Sequence, residues 1–339
     1  EPRLLTAAVD TGLRPRLAFL HKEMNIDMPS LRHIISQNPR ILLYSLQNNL
    51  QPKLISFFAM RLQMDQKQII KILRAYPLVL DYNLENHILP IVLFFFSELD
   101  LSPAEVRTIL LKFPRLLTYS LAKVKHVVRF LRYKLQMDAM QVKRVLFQAP
   151  QVVSLDTDHT LVAKVQFFEN DIGLTNPNDL RKVIVGMPTL LLCSVENNLR
   201  PKAMYLLVQF NNDMEELRDA ILTQPTLMGY SLKNRIDPRM QSMKEFGIRP
   251  RLITVGITMK DDKFQEWVRK KSKTSGYAVL SSSSTSLNSK KDLPLPPESK
   301  LFSSGREEQH ERDSSKIDDD EFLQNQHRKG RIVHWKRKQ

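Results

Sequence analysis

Basic residues return at a steady pitch in this sequence. Arg32 with His33, Lys71, Arg107, Lys143 with Arg144, Arg181 with Lys182, and Arg218 lie six or seven residues ahead of Pro39, Pro77, Pro114, Pro150, Pro188 and Pro225. Those prolines are themselves 36–38 residues apart. A second set, Lys53, Lys164, Lys202 and Arg239, with Arg16 before them, falls one residue after a second recurring position, usually proline. Taken singly, each is an ordinary solvated residue on the polar face of a helix. Taken in register, they form a stripe that can neutralise the evenly spaced charges of a phosphate backbone. Where the residue is Arg, its planar fork matches a phosphate better than the point charge of Lys.

Other chemistry finds no support. The eight histidines, at 21, 33, 87, 126, 159, 310, 327 and 334, show no metal-ligand spacing with one another or with Cys193, so no metal is expected. Glu307 with Glu308 and the run Asp318 to Glu321 fall in a tail expected to be disordered, which cannot hold a catalytic geometry. Cys193 occupies the repeat position held elsewhere by Tyr44, Tyr82, Tyr119 and Tyr230, which makes it a packing residue rather than a nucleophile. The tyrosines could stack on bases; their place directly after a core leucine pair favours packing. The nine glycines form neither GxGxxG nor a phosphate-cradling loop. No catalytic residue and no cofactor is therefore expected, and the chain reads as a non-enzyme. A single cysteine excludes a disulfide framework. No apolar run reaches 18 residues, and ILPIVLFFF (88–96) reads as a buried helix, so no membrane partner is expected. The first residue is Glu1, not Met, and any targeting peptide is expected to lie outside this sequence.

The elements that must position the stripe follow from the same period. With Pro2 as the first anchor, seven copies run to about residue 262. Each anchor proline is followed by two apolar residues, then at the sixth place by Ser45, Asn83, Ser120, Asp156, Ser194 or Ser231. Thirteen residues after the anchor stand Pro15, Pro52, Pro90, Pro201 and Pro238, with Val127 and Ala163 as exceptions. Twelve residues before it stand Asp27, Asp65, Ser102, Asp138, Asn176 and Asp213, all suited to cap a helix. Ser102 with Glu105 is a full capping-box pattern. Apolar spacing of 3, 1, 3, as in Ile69, Ile72, Leu73 and Tyr76, then marks one face of a short helix that the anchor proline ends. A longer helix follows, capped at Ser45 in its first full copy. Pro52 either kinks an early turn of that helix or marks a later start. The expectation is an all-α solenoid: a single repeat cannot cover its own apolar faces and must stack.

From about residue 271 the composition shifts to SSSSTS, LPLPP and DDDE, which reads as a disordered segment (271–339) with a basic end, HRKGRIVHWKRKQ. That end could clamp nucleic acid or simply solubilise the chain. The net charge of +15 is not mainly in it: residues 272–339 hold 13 Lys/Arg against 10 Asp/Glu, leaving +12 on the repeats. A basic folded part favours a polyanion partner.

The turn Pro-x-[Leu/Val/Ile]-[Leu/Val], then Tyr-Ser-[Leu/Val], then Asn-[Leu/Ile]-x-Pro-[Lys/Arg], resembles the mitochondrial transcription termination factor (mTERF) family. PRILLYSLQNNLQPKLISFF (39–58) and PTLMGYSLKNRIDPRMQSMKEFGI (225–248) are close to it, and LITVGITMKDDKFQEWV (252–268) is similar to the family's closing segment, with Lys263 and Phe264 in its capping helix. The resemblance covers about 1–270 and is specific because it recurs. It implies a curved, half-ring solenoid of helix pairs with a 3₁₀ turn per repeat. It also implies residence in mitochondria or chloroplasts, and a monomer that holds double-stranded DNA or structured RNA along a basic groove to regulate organellar transcription. By position, Arg32, Lys71, Arg107, Arg144, Arg181 and Arg218 would meet phosphates, with Lys143, Lys182 and the second set Lys53, Lys164, Lys202 and Arg239 beside them. The alternative role is a scaffold in organellar RNA processing, splicing or ribosome assembly, with a protein partner at the C-terminal cap. No base-reading residues carry over.

Overall fold

The computed structural model describes residues 1–274. Among them there is no strand, and long and short helices alternate. The long helices are α1 (9–23), α3 (46–61), α5 (84–97), α7 (121–134), α9 (157–171), α11 (195–209) and α13 (232–245). Between them lie the short helices α2 (Met28–Gln37), α4 (Gln66–Ala75), α6 (Pro103–Lys112), α8 (Ala139–Gln148), α10 (Pro177–Gly186) and α12 (Met214–Thr223). A one-turn α14 (Ile253–Gly256) and a closing α15 (Asp261–Thr274) end the array. The expected boundary at 270/271 falls inside α15; the remaining segment expected to be disordered lies outside the described residues.

Each short helix starts and stops for the reasons its sequence suggests. All six expected caps accept a backbone N–H from the first turn; Ser30 N–H donates to Asp27 at 2.8 Å, and Asp65, Ser102 and Asp138 form complete capping boxes. The residue before each anchor proline, from Asn38 to Gln224, leaves helical geometry with φ between −134° and −157°. The proline then opens a single 3₁₀ turn, and its two apolar residues, such as Ile41 and Leu42 or Leu190 and Leu191, are buried. Ser45, Asn83, Ser120, Asp156, Ser194 and Ser231 cap the long helices.

The question of the second proline is settled in favour of an early start. The long helix begins at its cap with a widened turn: Leu50 N–H donates to Ser45 O at 3.0 Å, and Ile88, Leu199 and Ile236 donate five residues back in the same way. The proline, which has no N–H to give, follows inside the helix. Where Val127 replaces it, α7 opens with an ordinary turn, Val124 N–H to Ser120 O at 3.1 Å. The copy with Ala163 keeps the wide turn, Leu161 N–H to Asp156 O at 2.9 Å, so proline is not its only cause.

Long helices end at left-handed residues: Asn25, Gln63, Asp100, Gln136, Gly173, Asn211 and Gly247, with φ from +46° to +78°. The apolar residue after most of them, such as Ile26, Met64, Leu101, Met137 and Leu174, is buried. Consecutive short helices pack on one another, and so do consecutive 3₁₀ turns from Pro77 onward. One hydrophobic core thus runs from Phe19 to Val268, built by contacts between neighbours, which is the solenoid expected. An eighth proline turn, Pro250–Leu252, precedes α14. On the closing helix Phe264 is buried, and a Cβ on Gly256 would meet its ring at 2.8 Å, so only glycine lets α15 seat there.

Candidate nucleic-acid interface

The second cation set does not reach solvent. Lys53, Lys164, Lys202 and Arg239 are 2%, 6%, 5% and 4% exposed. This corrects the expectation that they line a binding surface. Their position faces the 3₁₀ turn of the next repeat, whose carbonyls have no helical partner. Lys53 Nζ donates to Leu80 O at 2.5 Å and to Asn49 Oδ1 at 2.9 Å. Lys202 Nζ repeats this with Met228 O and Asn198 Oδ1, both at 2.8 Å. Arg16 Nε donates to Tyr44 O at 2.6 Å. Arg239 serves the closing segment, giving N–H bonds to Gly256 O, Ile257 O and Met259 O and pairing with Asp261. Lys164 is buried at the equivalent joint without a hydrogen bond. Burial lowers the Lys53 ammonium to about 8, and lowers Lys164 and Lys202 as well.

The short-helix set divides in two. Residues seven before the anchor turn back on the preceding repeat. Arg107 Nη1 donates to Leu62 O at 3.1 Å and Gln63 O at 2.6 Å, at the end of α3. Lys143 Nζ donates to Asp100 O at 3.3 Å, beyond α5, and pairs with Glu105 at 2.9 Å. Arg181 Nη1 donates to Gln136 O at 2.8 Å, beyond α7, and its Nη2 to Asn178. These cations meet the negative ends of long helices. Arg218 lies the same way against Gly173, where a Cβ would come within 3.4 Å of Nε; no carbonyl bond forms, and Nε is buried without a partner. All four are half-buried, not fully exposed as the helical wheel suggests. Arg32, on the first short helix, is exposed.

Residues six before the anchor point outward. His33, Lys71, Arg144 and Lys182 are exposed. Lys71, Arg144 and Lys182 make no side-chain hydrogen bond or ion pair, and His33 Nε2 lies 3.2 Å from Arg74 O. Open clefts form between neighbouring short helices. One of about 400 Å³ between α8 and α10 is lined by Arg144, Arg181 and Lys182 with Gln141 and Asn178. A second of about 380 Å³ between α2 and α4 is lined by His33, Lys67, Lys71 and Arg74. The two occupy the same place in the repeat: the outward residue of one helix faces the outward residue and first turn of the next. Neither contains a carboxylate, and each gathers several cations that could share a phosphate oxygen.

The mTERF family model matches residues 2–265. The chain belongs to the mTERF family. The seven anchor prolines and their Leu-Leu turns are thus the joints of an mTERF array, and the tyrosine position belongs to the joint too. Tyr44 is half-buried, its hydroxyl donating to Asp81 Oδ1 at 2.6 Å, and burial with that carboxylate raises its pKa. Among the described residues no group of His, Cys, Asp or Glu is placed to hold a metal, and no helix is long and apolar enough to cross a membrane. Lys67 and Arg74 line a cleft of this mTERF array yet were outside the recurring set. They show themselves on a helical wheel, four and three residues from Lys71.

Proposed function

We propose that this mTERF protein is a non-enzymatic nucleic-acid-binding protein of an organelle, acting in transcription or its regulation, and that it holds a DNA or RNA duplex by phosphates seated along the clefts between short helices. The observation that carries this is the outward cation row, Lys71, Arg144 and Lys182, left unpaired on the surface while Lys143 and Arg181, one residue from two of them, are consumed by carbonyls. Unpaired cations in shared clefts suit an external anion; cations already bound to backbone do not. The test is binding to duplex DNA and duplex RNA across a salt series. Affinity should fall steeply, by roughly 10³ between 50 and 200 mM salt if about six phosphates are contacted. Lys71→Glu with Arg144→Glu and Lys182→Glu should weaken binding of a folded protein by about 100-fold or more at low salt. Binding that ignores both salt and this variant rules the reading out. A co-purifying protein with no nucleic-acid affinity would point instead to the scaffold role.

A further inference from the structure

The outward position changes sign once along the array. It is His33, Lys71, Thr108, Arg144 and Lys182 on α2 to α10, and Asp219 on α12. The position one turn earlier is Pro29, Lys67, Ala104, Met140 and Asn178 on α2 to α10, and Glu215 on α12. Both α12 carboxylates are exposed. Asp219 accepts a hydrogen bond from Arg251 Nη2 at 2.9 Å, which fixes it to the closing 3₁₀ turn. Glu215 has no side-chain hydrogen bond or ion pair. Arg218 does not restore the sign, because it lies back against Gly173.

We propose that α12 is the end of the phosphate track. The duplex lies along α2 to α10, and its backbone leaves the short-helix face at α12, where Asp219 stands in the place held by Lys71, Arg144 and Lys182 on earlier helices and Glu215 in the place held by Lys67 on α4. Like charges at close range disfavour continued contact; Glu215 acts uncompensated, while Arg251 holds Asp219 in place and offsets part of its charge. The acidic helix therefore sets the length and register of the bound segment. The inference rests on the phosphate-binding reading above, and the experiment separates the two.

The full chain carrying Glu215→Lys with Asp219→Lys is compared with wild type on duplex DNA and duplex RNA probes longer than the track. The variant should bind more tightly, with a log–log salt slope steeper by about one for each phosphate gained. The segment protected from nuclease should lengthen at one end by about three nucleotides, since neighbouring helices are ~9–10 Å apart and a strand carries a phosphate every ~3.4 Å. Because Asp219→Lys breaks the Arg251 pair, Glu215→Lys alone is the second variant; it touches no bond in the fold and should give the smaller change in the same direction. Unchanged slope and protected length in both folded variants overturn the stop. If Arg144→Glu with Lys182→Glu also leaves binding unchanged, the track itself is absent and both readings fall. If that variant weakens binding while the α12 variants are neutral, only the stop falls. The two probes tell which duplex uses the track.

Discussion

The joints between repeats and the outer face of the short helices are both built from lysine and arginine, yet they use the charge in opposite ways. At the joints the cation is buried and spent on main-chain oxygens: Lys53 on Leu80, Lys202 on Met228, Arg239 on the closing loop. On the outer face Lys71, Arg144 and Lys182 keep their charge for solvent or a ligand. The residue type does not decide this. What decides it is whether a carbonyl left over from a 3₁₀ turn or a helix end comes within reach. A cation without such a neighbour is the one available to a phosphate.

Five experiments break or sharpen that contrast. The largest effect is expected at Arg239. Arg239→Ala leaves several buried carbonyls and Asp261 without their donor, and should cost about 3–5 kcal/mol of stability by denaturant unfolding. Affinity per folded molecule should change little. Next is Arg107→Ala, which removes the tie to Leu62 and Gln63 and should cost about 1–2 kcal/mol. Lys71→Ala, by contrast, should stay within about 0.5 kcal/mol of wild type in stability while flattening the salt slope of binding by about one. If Arg107→Ala instead flattens the slope and spares stability, the division between inward and outward cations is wrong.

The last two differences are read from pH. Lys53 titrates at about 8 in the fold and at 10.5 when unfolded. Between those values the unfolded chain holds the extra proton, so stability gained from this site rises with pH. Wild type should therefore gain on Lys53→Met as pH rises from 8 towards 10.5; a flat difference would mean that the ammonium is not desolvated. Glu105 behaves oppositely. The Lys143 ammonium and the Ser102 cap hold it at about 2, below its ordinary 4.5. Its contribution is present above 4.5 and is lost as pH falls towards 2. Glu105→Gln should remove that part of the acid limb in an unfolding series.

Much of the fold was legible in the sequence because its signals are local. Caps such as Asp65 and Ser102, the stop before Pro77 and the buried pair Val79–Leu80 each depend on a few adjacent residues. The helix ends were harder to read. Gln63, Asp100 and Gln136 take the left-handed conformation without glycine, since the burial of Met64, Leu101 and Met137 just beyond outweighs the local preference. The site was half legible. Periodicity located the cations but could not separate Lys143 from Arg144, because a 100° step on one helix does not say which side a neighbouring repeat occupies. Nor could it foresee that Lys53 and Lys202 would be buried: their partners, Leu80 O and Met228 O, lie 27 and 26 residues away and belong to the backbone, which carries no sequence signature.

The copy containing α9 is fastened differently from the rest. Lys164 reaches its joint without a hydrogen bond, and Arg218 rests on Gly173 without bonding a carbonyl. In an array held only by contacts between neighbours, a copy without either bond to a main-chain carbonyl, tied instead by the Arg200–Asp171 ion pair at 2.6 Å, is where cooperativity is weakest. Heat or force applied to the chain should part it there, into an N-terminal block ending near α7 and a C-terminal block beginning near α11. Amides of α9 should exchange with deuterium ahead of those in the helices on either side.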